Sequence, residues 1–477
     1  MPKSSFADVS IDVEPQAKRQ RLTTEDDTPF RILVLGDFSG RANRGVFELD
    51  GLAQQRPLLV DRDNFDGVFA RLAPALQLSF PTGLQVDLAF SELDDFLPDR
   101  IYERCKVFEA LREARLQSPP KRAAQPAPPP APARPAAQPP LGNIAGGNLL
   151  DSMLEENAVS PTVRSTDPLF DYVRRIAEPY LVEREDPGRA DWVAHVDGEI
   201  GNAMREILHH PDFQAVEAAW RALYFLVRET ETSPLLKIFV LDVSKPELAA
   251  NMIATDDLGR TALYDVMVRK TVGTPGAQPW AICAGNFTFG PNAEDLELLG
   301  RIAMVASQAQ APFLAAAPLD GVTNDQAWGI IRELPDAAYL ALALPRFLLR
   351  LPYGPNTDST ERFDFDEMPD GPRHEHYLWG NPAFALATLM AGNFSERGWE
   401  LTPAGYELTG RPLHSYEEKG EHKLKSPAEL WFTMDQVDGL LERGFIPLIA
   451  FKDSDRIRLG RLQSFRKPLT ALQGRWR

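Results

Sequence analysis

A chain of 477 residues, 44% of them hydrophobic, is long enough for two or three domains with sizeable cores. Its formal net charge of −17 argues against a nucleic-acid binder, which needs a basic face, and points instead to protein partners. Two cysteines, Cys105 and Cys283, are too few for a disulfide framework and read as small buried residues of a reducing compartment.

The N-terminus, MPKSSFADVSIDVEPQAKRQR, has no apolar leader core, and no stretch approaches the ~20 apolar residues that span a bilayer. A cytoplasmic protein without membrane insertion is expected. Residues Phe30 to Phe38 (FRILVLGDF) form a short apolar run into a Gly-Asp turn, the pattern of a buried strand. The following SGRAN, Ser39 to Asn43, matches neither GxxxxGK[ST] nor GxGxxG, so the turn reads as structural and not as a phosphate loop. A second strand is predicted at Leu58 to Val60, followed by Asp63 as the N-cap of a helix with Phe65, Val68, Phe69 and Leu72 on one face. Leu84, Val86, Leu88 and Phe90 alternate as in a half-buried strand. From Pro98 to Leu116, Ile101, Cys105, Phe108 and Leu111 recur at helical spacing. Asp61, Asp63, Asp66, Asp94 and Asp95 occupy capping and turn positions, and form no catalytic or metal constellation.

Gln117 to Leu141, QSPPKRAAQPAPPPAPARPAAQPPL, separates this first segment from the rest. Proline fixes φ and removes an N–H donor, so the tract reads as an extended, solvated, semi-rigid spacer. Beyond it, NLLDSMLEEN clusters Leu149, Leu150, Met153 and Leu154 on one side, as a docking peptide or as the first packing helix of a domain. The sequence from Trp192 is strongly helical, breaks at His210-Pro211, and resumes with Phe213, Val216, Ala219, Trp220, Leu223 and Leu226 on a broad apolar face. LKIFVLDVS (Leu236 to Ser244), AICAGNFTFG (Ala281 to Gly290), PFLAAAP and FIPLIAF read as buried strands, with Asp295 to Gln310 as one of the intervening helices. His209 and His210 are adjacent on different helix faces, and His374-Glu375-His376 lacks the helical HExxH spacing. No GxSxG elbow is present, and Cys283 falls inside a strand. An enzyme is not expected, nor a cofactor or metal.

The predicted fold class is α/β, with mixed α+β features, in two domains joined by the Pro/Ala-rich linker. Residues 1–116 form the first unit, 117–147 the linker, 148–185 an N-terminal helical segment of the second part, and 186–477 the second domain.

Ordered blocks in both units carry a resemblance. FRILVLGDFSG (Phe30 to Gly40), VDRDNFDGVFARLAP (Val60 to Pro74) and LAFSELDDFLPDRI (Leu88 to Ile101) resemble the small subunit of the type VI secretion contractile sheath. ILHHPDFQAVEAAWRALYFLV (Ile207 to Val227), FTFGPNAEDLELL (Phe287 to Leu299), APFLAAA (Ala311 to Ala317), RLPYGPNTDSTERFDFDE (Arg350 to Glu367), YLWGNPAFALA (Tyr377 to Ala387) and RGFIPL (Arg443 to Leu448) resemble the large subunit. The resemblance implies a phage-tail-like jacket that assembles with copies of itself around an inner-tube protein, on baseplate proteins, and contracts to drive the tube out.

It also implies that Leu149, Leu150, Met153 and Leu154 correspond to the helix by which a Clp-type AAA+ unfoldase recognises contracted sheath. Phe65, Phe69, Phe213 and Trp220 become candidate domain or subunit packing residues. Large subunits of this kind continue beyond the RGFIPL block into an extension that links neighbours, whereas this sequence stops at Arg477 with SFRKPLTALQGRWR. That departure keeps a second reading in view, a non-polymerising sheath-like adaptor of the same machine, while for the polymer the strand candidate ADVSIDVEP (Ala7 to Pro15) is the remaining linking arm.

Overall fold

The structure, a computed structural model, describes residues 27–116 apart from 82 and residues 189–476 apart from 403 and 404. The first segment contributes β1 (Phe30–Gly36), α1 (Leu49–Gln54), β2 (Leu58–Val60), α2 (Phe65–Leu72), β3 (Ala75–Ser79), β4 (Gln85–Ala89), α3 (Pro98–Arg104) and α4 (Glu109–Leu116). The second opens with two long helices, α5 (Arg189–Leu208) and α6 (Pro211–Glu229). It then alternates β5 (Leu236–Asp242), α7 (Lys245–Ile253), β6 (Ile282–Thr288), α8 (Ala293–Ala309), β7 (Phe313–Ala316), α9 (Asp325–Arg332) and β8 (Leu340–Leu344). The chain continues through β9 (Phe347–Leu348), β10 (Trp379–Gly380), α10 (Pro382–Arg397), β11 (Glu407–Leu408), β12 (His414–Glu418), β13 (Glu421–Lys425), α11 (Met434–Glu442), β14 (Ile446–Ala450) and β15 (Ile457–Leu459).

The α/β class is borne out, but the two segments are not two separately closed units. One nine-stranded sheet runs β11-β15-β14-β8-β7-β6-β1-β5-β2. Strand β1 lies parallel to β5 over seven residue pairs on one side, and parallel to β6 from Ile32 to Leu35 on the other. The central strands are parallel, and the edge pairings β2–β5, β14–β15 and β15–β11 are antiparallel. Strands buried on both faces carry continuous apolar runs, and FRILVLG is such a run. Ile32 and Val34 face one core, with Ile238, Ile282, Trp220 and α10. Leu33 and Leu35 face the other, with Leu241, Cys283, Leu299 and Trp328. The period-2 side-chain alternation of β1 therefore joins both layers of helices through one strand.

Local chemistry departs from expectation at several points. Asn64, not Asp63, stands at the N-cap of α2. Asp61 accepts the N–H groups of Asp63 and Asn64, while Asn64 accepts that of Asp61, so the acid that shapes this turn lies two residues earlier than predicted. The helix predicted from Pro98 to Leu116 is interrupted at Cys105, whose extended backbone (φ −79, ψ 128) ends α3 before α4 resumes the same apolar face. Gly40 has φ +75, and a Cβ there would lie 2.4 Å from the carbonyl oxygen of Ala75, so only glycine fits the close approach of this turn to β3. Cys105 and Cys283 are both buried thiols, and burial raises the pKa of each. Among the described residues, no helix is long and apolar enough to cross a membrane.

Candidate functional site: the seam between the two segments

The seam is built first from aromatic rings. Trp220, fully buried on α6, packs edge-on to Phe38 (5.4 Å) and Phe65 (5.8 Å) and tilted against Phe69 (4.2 Å). Its indole N–H donates to the carbonyl of Phe38 at 2.7 Å. Two turns earlier on α6, Phe213 meets Phe90 and Phe96 edge-on, at 6.0 and 5.7 Å. The four packing candidates from the sequence thus fall into one cluster, with Phe65 and Phe69 contributed by the first segment and Phe213 and Trp220 by the second. Rings of this size dominate the energetics of a contact, and truncating one to alanine in a core costs about 3–5 kcal/mol.

A polar lock fixes the end of β1. Asp242, at the end of the neighbouring β5, accepts the backbone N–H groups of Phe38 (2.8 Å) and Ser39 (3.0 Å) and the Ser39 hydroxyl (2.7 Å). Burial raises the Asp242 pKa, and the Ser39 and Phe38 hydrogen bonds only partly offset it. The Gly-Asp turn therefore presents its N–H groups to a protein carboxylate in the other segment. Beside it, Arg41 grips Glu247 with Nε at 3.0 and 3.1 Å and a terminal nitrogen at 2.8 Å. Glu247 also accepts from the Ser244 backbone and hydroxyl and from the Glu48 N–H. Burial alone would raise Glu247; the Arg41 and backbone hydrogen bonds outweigh it and hold the carboxyl below its ordinary range.

The block from Arg350 to Glu367 forms the third contact. Arg350 bridges two buried carboxylates, Glu217 on α6 (2.8 Å) and Glu367 (2.8 and 3.2 Å). Arg221 pairs with Glu217 at 2.6 Å and donates to the Tyr353 hydroxyl at 2.9 Å, and the Tyr353 N–H donates to Glu367 at 2.7 Å. Burial would raise the Glu367 pKa, but Arg350, His209 and the Tyr353 N–H pull it down to about 2. The same burial lifts the Tyr353 phenol to about 12. The middle of the block reaches the first segment. Asp99 accepts the N–H groups of Glu361 (2.9 Å) and Arg362 (3.0 Å), Arg362 meets Glu103 at 2.8 Å, and Phe363 packs on Tyr102 at 4.9 Å. Arg115 closes the seam by a two-pronged pair with Asp197 on α5 (2.7 and 3.2 Å), while Trp192 donates to the carbonyl of Ala114 at 2.9 Å.

Leu149, Leu150, Met153 and Leu154 lie outside the described residues. His209 and His376, which sequence spacing kept apart, stack at 3.7 Å, and His374 meets Glu429 at 3.0 Å. No grouping of three or more His, Cys, Asp or Glu side chains fit for a metal occurs among the described residues. Sequence reasoning did not single out Arg41, Asp242, Glu217, Arg350 or Glu367. Glu217 carried a readable signal, since it falls on the apolar face of α6 between Phe213 and Trp220, where an acid needs a buried cation.

The buried pairs predict an acid-dependent contribution to stability. The folded Glu367 pKa lies below its unfolded value, so its contribution is full above about pH 4.5 and is lost as pH falls toward 2. Glu367→Gln should lower stability at pH 7 by about 3–5 kcal/mol, because it leaves Arg350 with one carboxylate. The gap between variant and parent should narrow toward pH 2–3 in chemical denaturation. A gap independent of pH would contradict this assignment.

Comparison with known proteins agrees with this division of the chain. Residues 8–118 match the family described as type VI secretion system, VipA, VC_A0107 or Hcp2. Residues 190–466, more than half of the chain, match VipB, described as EvpB/VC_A0108, tail sheath N-terminal domain. The type VI secretion system sheath protein TssC1 of Pseudomonas aeruginosa is 33% identical over 303 residues, which are 58% of this chain and 61% of that protein. The chain thus spans less than two thirds of the length of this relative. It belongs to the VipB tail-sheath family, and carries ahead of that part a segment matching the VipA family.

Proposed function

We propose that this chain is a structural subunit of a type VI secretion contractile sheath, a single-chain protomer in which the small-subunit and large-subunit parts are joined. The observation that carries this reading is that the two family segments, in one chain, share one sheet and one buried seam. Copies assemble by self-association into a helical tube on the cytoplasmic side, around an inner-tube protein and upon baseplate proteins. The work is mechanical. A sheath needs protomers that hold their shape while the contacts between them exchange one packing for another, and the energy is stored in those contacts at assembly. The aromatic and charged seam suits the rigid part of that task. The leucine-rich stretch with Leu149, Leu150, Met153 and Leu154 is the handle for a Clp-type AAA+ unfoldase that recycles contracted sheath.

Electron microscopy of the full chain co-expressed with its inner-tube protein should show ordered tubes with a regular axial repeat. Discrete particles alone would contradict the sheath reading and favour a non-polymerising adaptor. The recycling handle is tested separately by binding of the Clp-type unfoldase to the triple variant Leu149→Asp, Leu150→Asp, Met153→Asp. Loss of binding by about tenfold or more is expected, about 1.4 kcal/mol or greater. Unchanged affinity would remove the handle from the account.

A further inference from the structure

Four of the seven histidines, His209, His374, His376 and His414, lie on or against one turn, residues 373–377. The turn has two attachments. At the corner between α5 and α6, the His376 ring stacks on His209 at 3.7 Å with 12° between the planes, and the Gln214 side-chain amide donates to the Glu375 carbonyl at 3.2 Å. At the loop ahead of α11, His374 Nε2 meets Glu429 at 3.0 Å, and the His374 ring stacks on Trp379 at 5.3 Å. The Tyr377 hydroxyl meets His414 Nδ1 at 2.7 Å, where β12 begins. Leu348, Met368, Tyr377 and Trp379 form an apolar cluster of their own, apart from the two main cores. A shift of the turn therefore opens neither core, which makes it a local unit of low cost.

The charges beneath the stack already balance. Glu217 and Glu367 face Arg221 and Arg350, two acids against two cations. Neutral imidazoles stack at this distance as other flat rings do. One proton is also accommodated, because His209 Nε2 lies 3.4 Å from Glu367 Oε1. A second proton sets two like charges one ring-spacing apart, and each disfavours the other. The other described charges about the pair do not relieve it. Arg373 is a further cation, and Glu375 and Glu206 are exposed. On α5, Arg205 donates to the Asp366 carbonyl and the Asn202 side chain; at the start of α6, His210 Nδ1 accepts the Asp212 N–H, and the Asp212 carboxylate accepts from Asn43. Acid acts in the opposite sense on the second attachment. A protonated His374 binds the Glu429 carboxylate as a charge-assisted pair, with Lys425, 3.5 Å from its Nδ1, as the opposing charge.

We propose that the His209–His376 stack is an acid-released latch: residues 373–377 dock on the α5–α6 corner while the two rings hold at most one proton, and leave it when both are protonated, with His374 still on Glu429. The sign follows from proton binding. The released turn binds two protons at these rings and the docked turn at most one, so docking weakens as pH falls below about 6.5. Burial, followed by His209, lowers the His376 pKa from its ordinary 6.5; Arg373 acts in the same direction, and Glu375 and Glu367 do not offset them. Docking is thus complete above the ordinary histidine range and is lost as pH drops through the lowered value. That window lies well above the one set by Glu367, whose carboxyl protonates at about 2. The latch rests on these contacts and not on the sheath reading.

Native-state amide exchange of the full chain, followed from about pH 7.5 to about pH 5 and corrected for intrinsic exchange, tests it. The amides of residues 373–379 should lose protection by about tenfold per pH unit below about 6.5, while those of β6 keep theirs. His209→Phe and His376→Phe each keep a flat ring in the stack and remove one of the two protons. Either variant should hold residues 373–379 protected down to about pH 5, and each repeats the comparison independently of the other. Protection that does not vary with pH in the parent chain, or that falls alike in the parent and the variants, would overturn the proposal.

Discussion

Strand β1 lies between two strands, β5 and β6, that the chain reaches only after residue 235, and the rest of the structure depends on that insertion. Neighbouring strands in a sheet are spaced by about 4.8 Å, so removing β1 would leave β5 and β6 about 9.6 Å apart, too far to pair. Both would expose unpaired backbone groups in the middle of the sheet, where water cannot replace them. The second segment therefore has no closed core without the first. Joining the two in one chain fixes their ratio at one to one and makes their pairing an intramolecular event.

The polar contacts of the seam give the insertion its register. Backbone pairing alone tolerates slippage of a short apolar strand, and a one-residue slip would exchange its two faces. Asp242 reads the N–H groups of Phe38 and Ser39, so only one register satisfies that buried carboxylate. Arg41 with Glu247, and Arg350 with Glu217 and Glu367, act in the same sense farther out. Buried pairs of this kind add little net stability over an apolar replacement, but lose several kcal/mol when one partner is removed. Their contribution here is a single arrangement of the two segments.

Much of the fold was legible in local pattern. β1, β2, β5, β6 and β14 announce themselves as apolar runs bounded by turn residues, and α6 by its stripe around Trp220. β3 was not singled out in the sequence, because Ala75 to Ser79 is a short run that begins three residues after the α2 stripe ends at Leu72. The chain leaves that helix at Ala73, in the left-handed region at φ 46, just before Pro74. Helix α10 is buried on nearly every side and so lacks the polar face that marks a helix by periodicity. The sharing of one sheet was illegible for a deeper reason. Seven residues of β1 specify a strand buried on both faces, but nothing local names its neighbours, which lie some two hundred residues away. The buried ion pairs are long-range for the same reason, and only Glu217, an acid inside an apolar stripe, betrayed one of them.

The central claim is that β1 is an interior strand of the domain formed by the second segment. Native-state amide hydrogen exchange on the full chain, read peptide by peptide, tests it most directly. The account predicts that Ile32 to Leu35 exchange only through global unfolding, at the same rate and with the same denaturant dependence as Ile282 to Ala284 of β6. Exchange of the β1 amides by a separate, lower-energy opening, with β6 still protected, would contradict it.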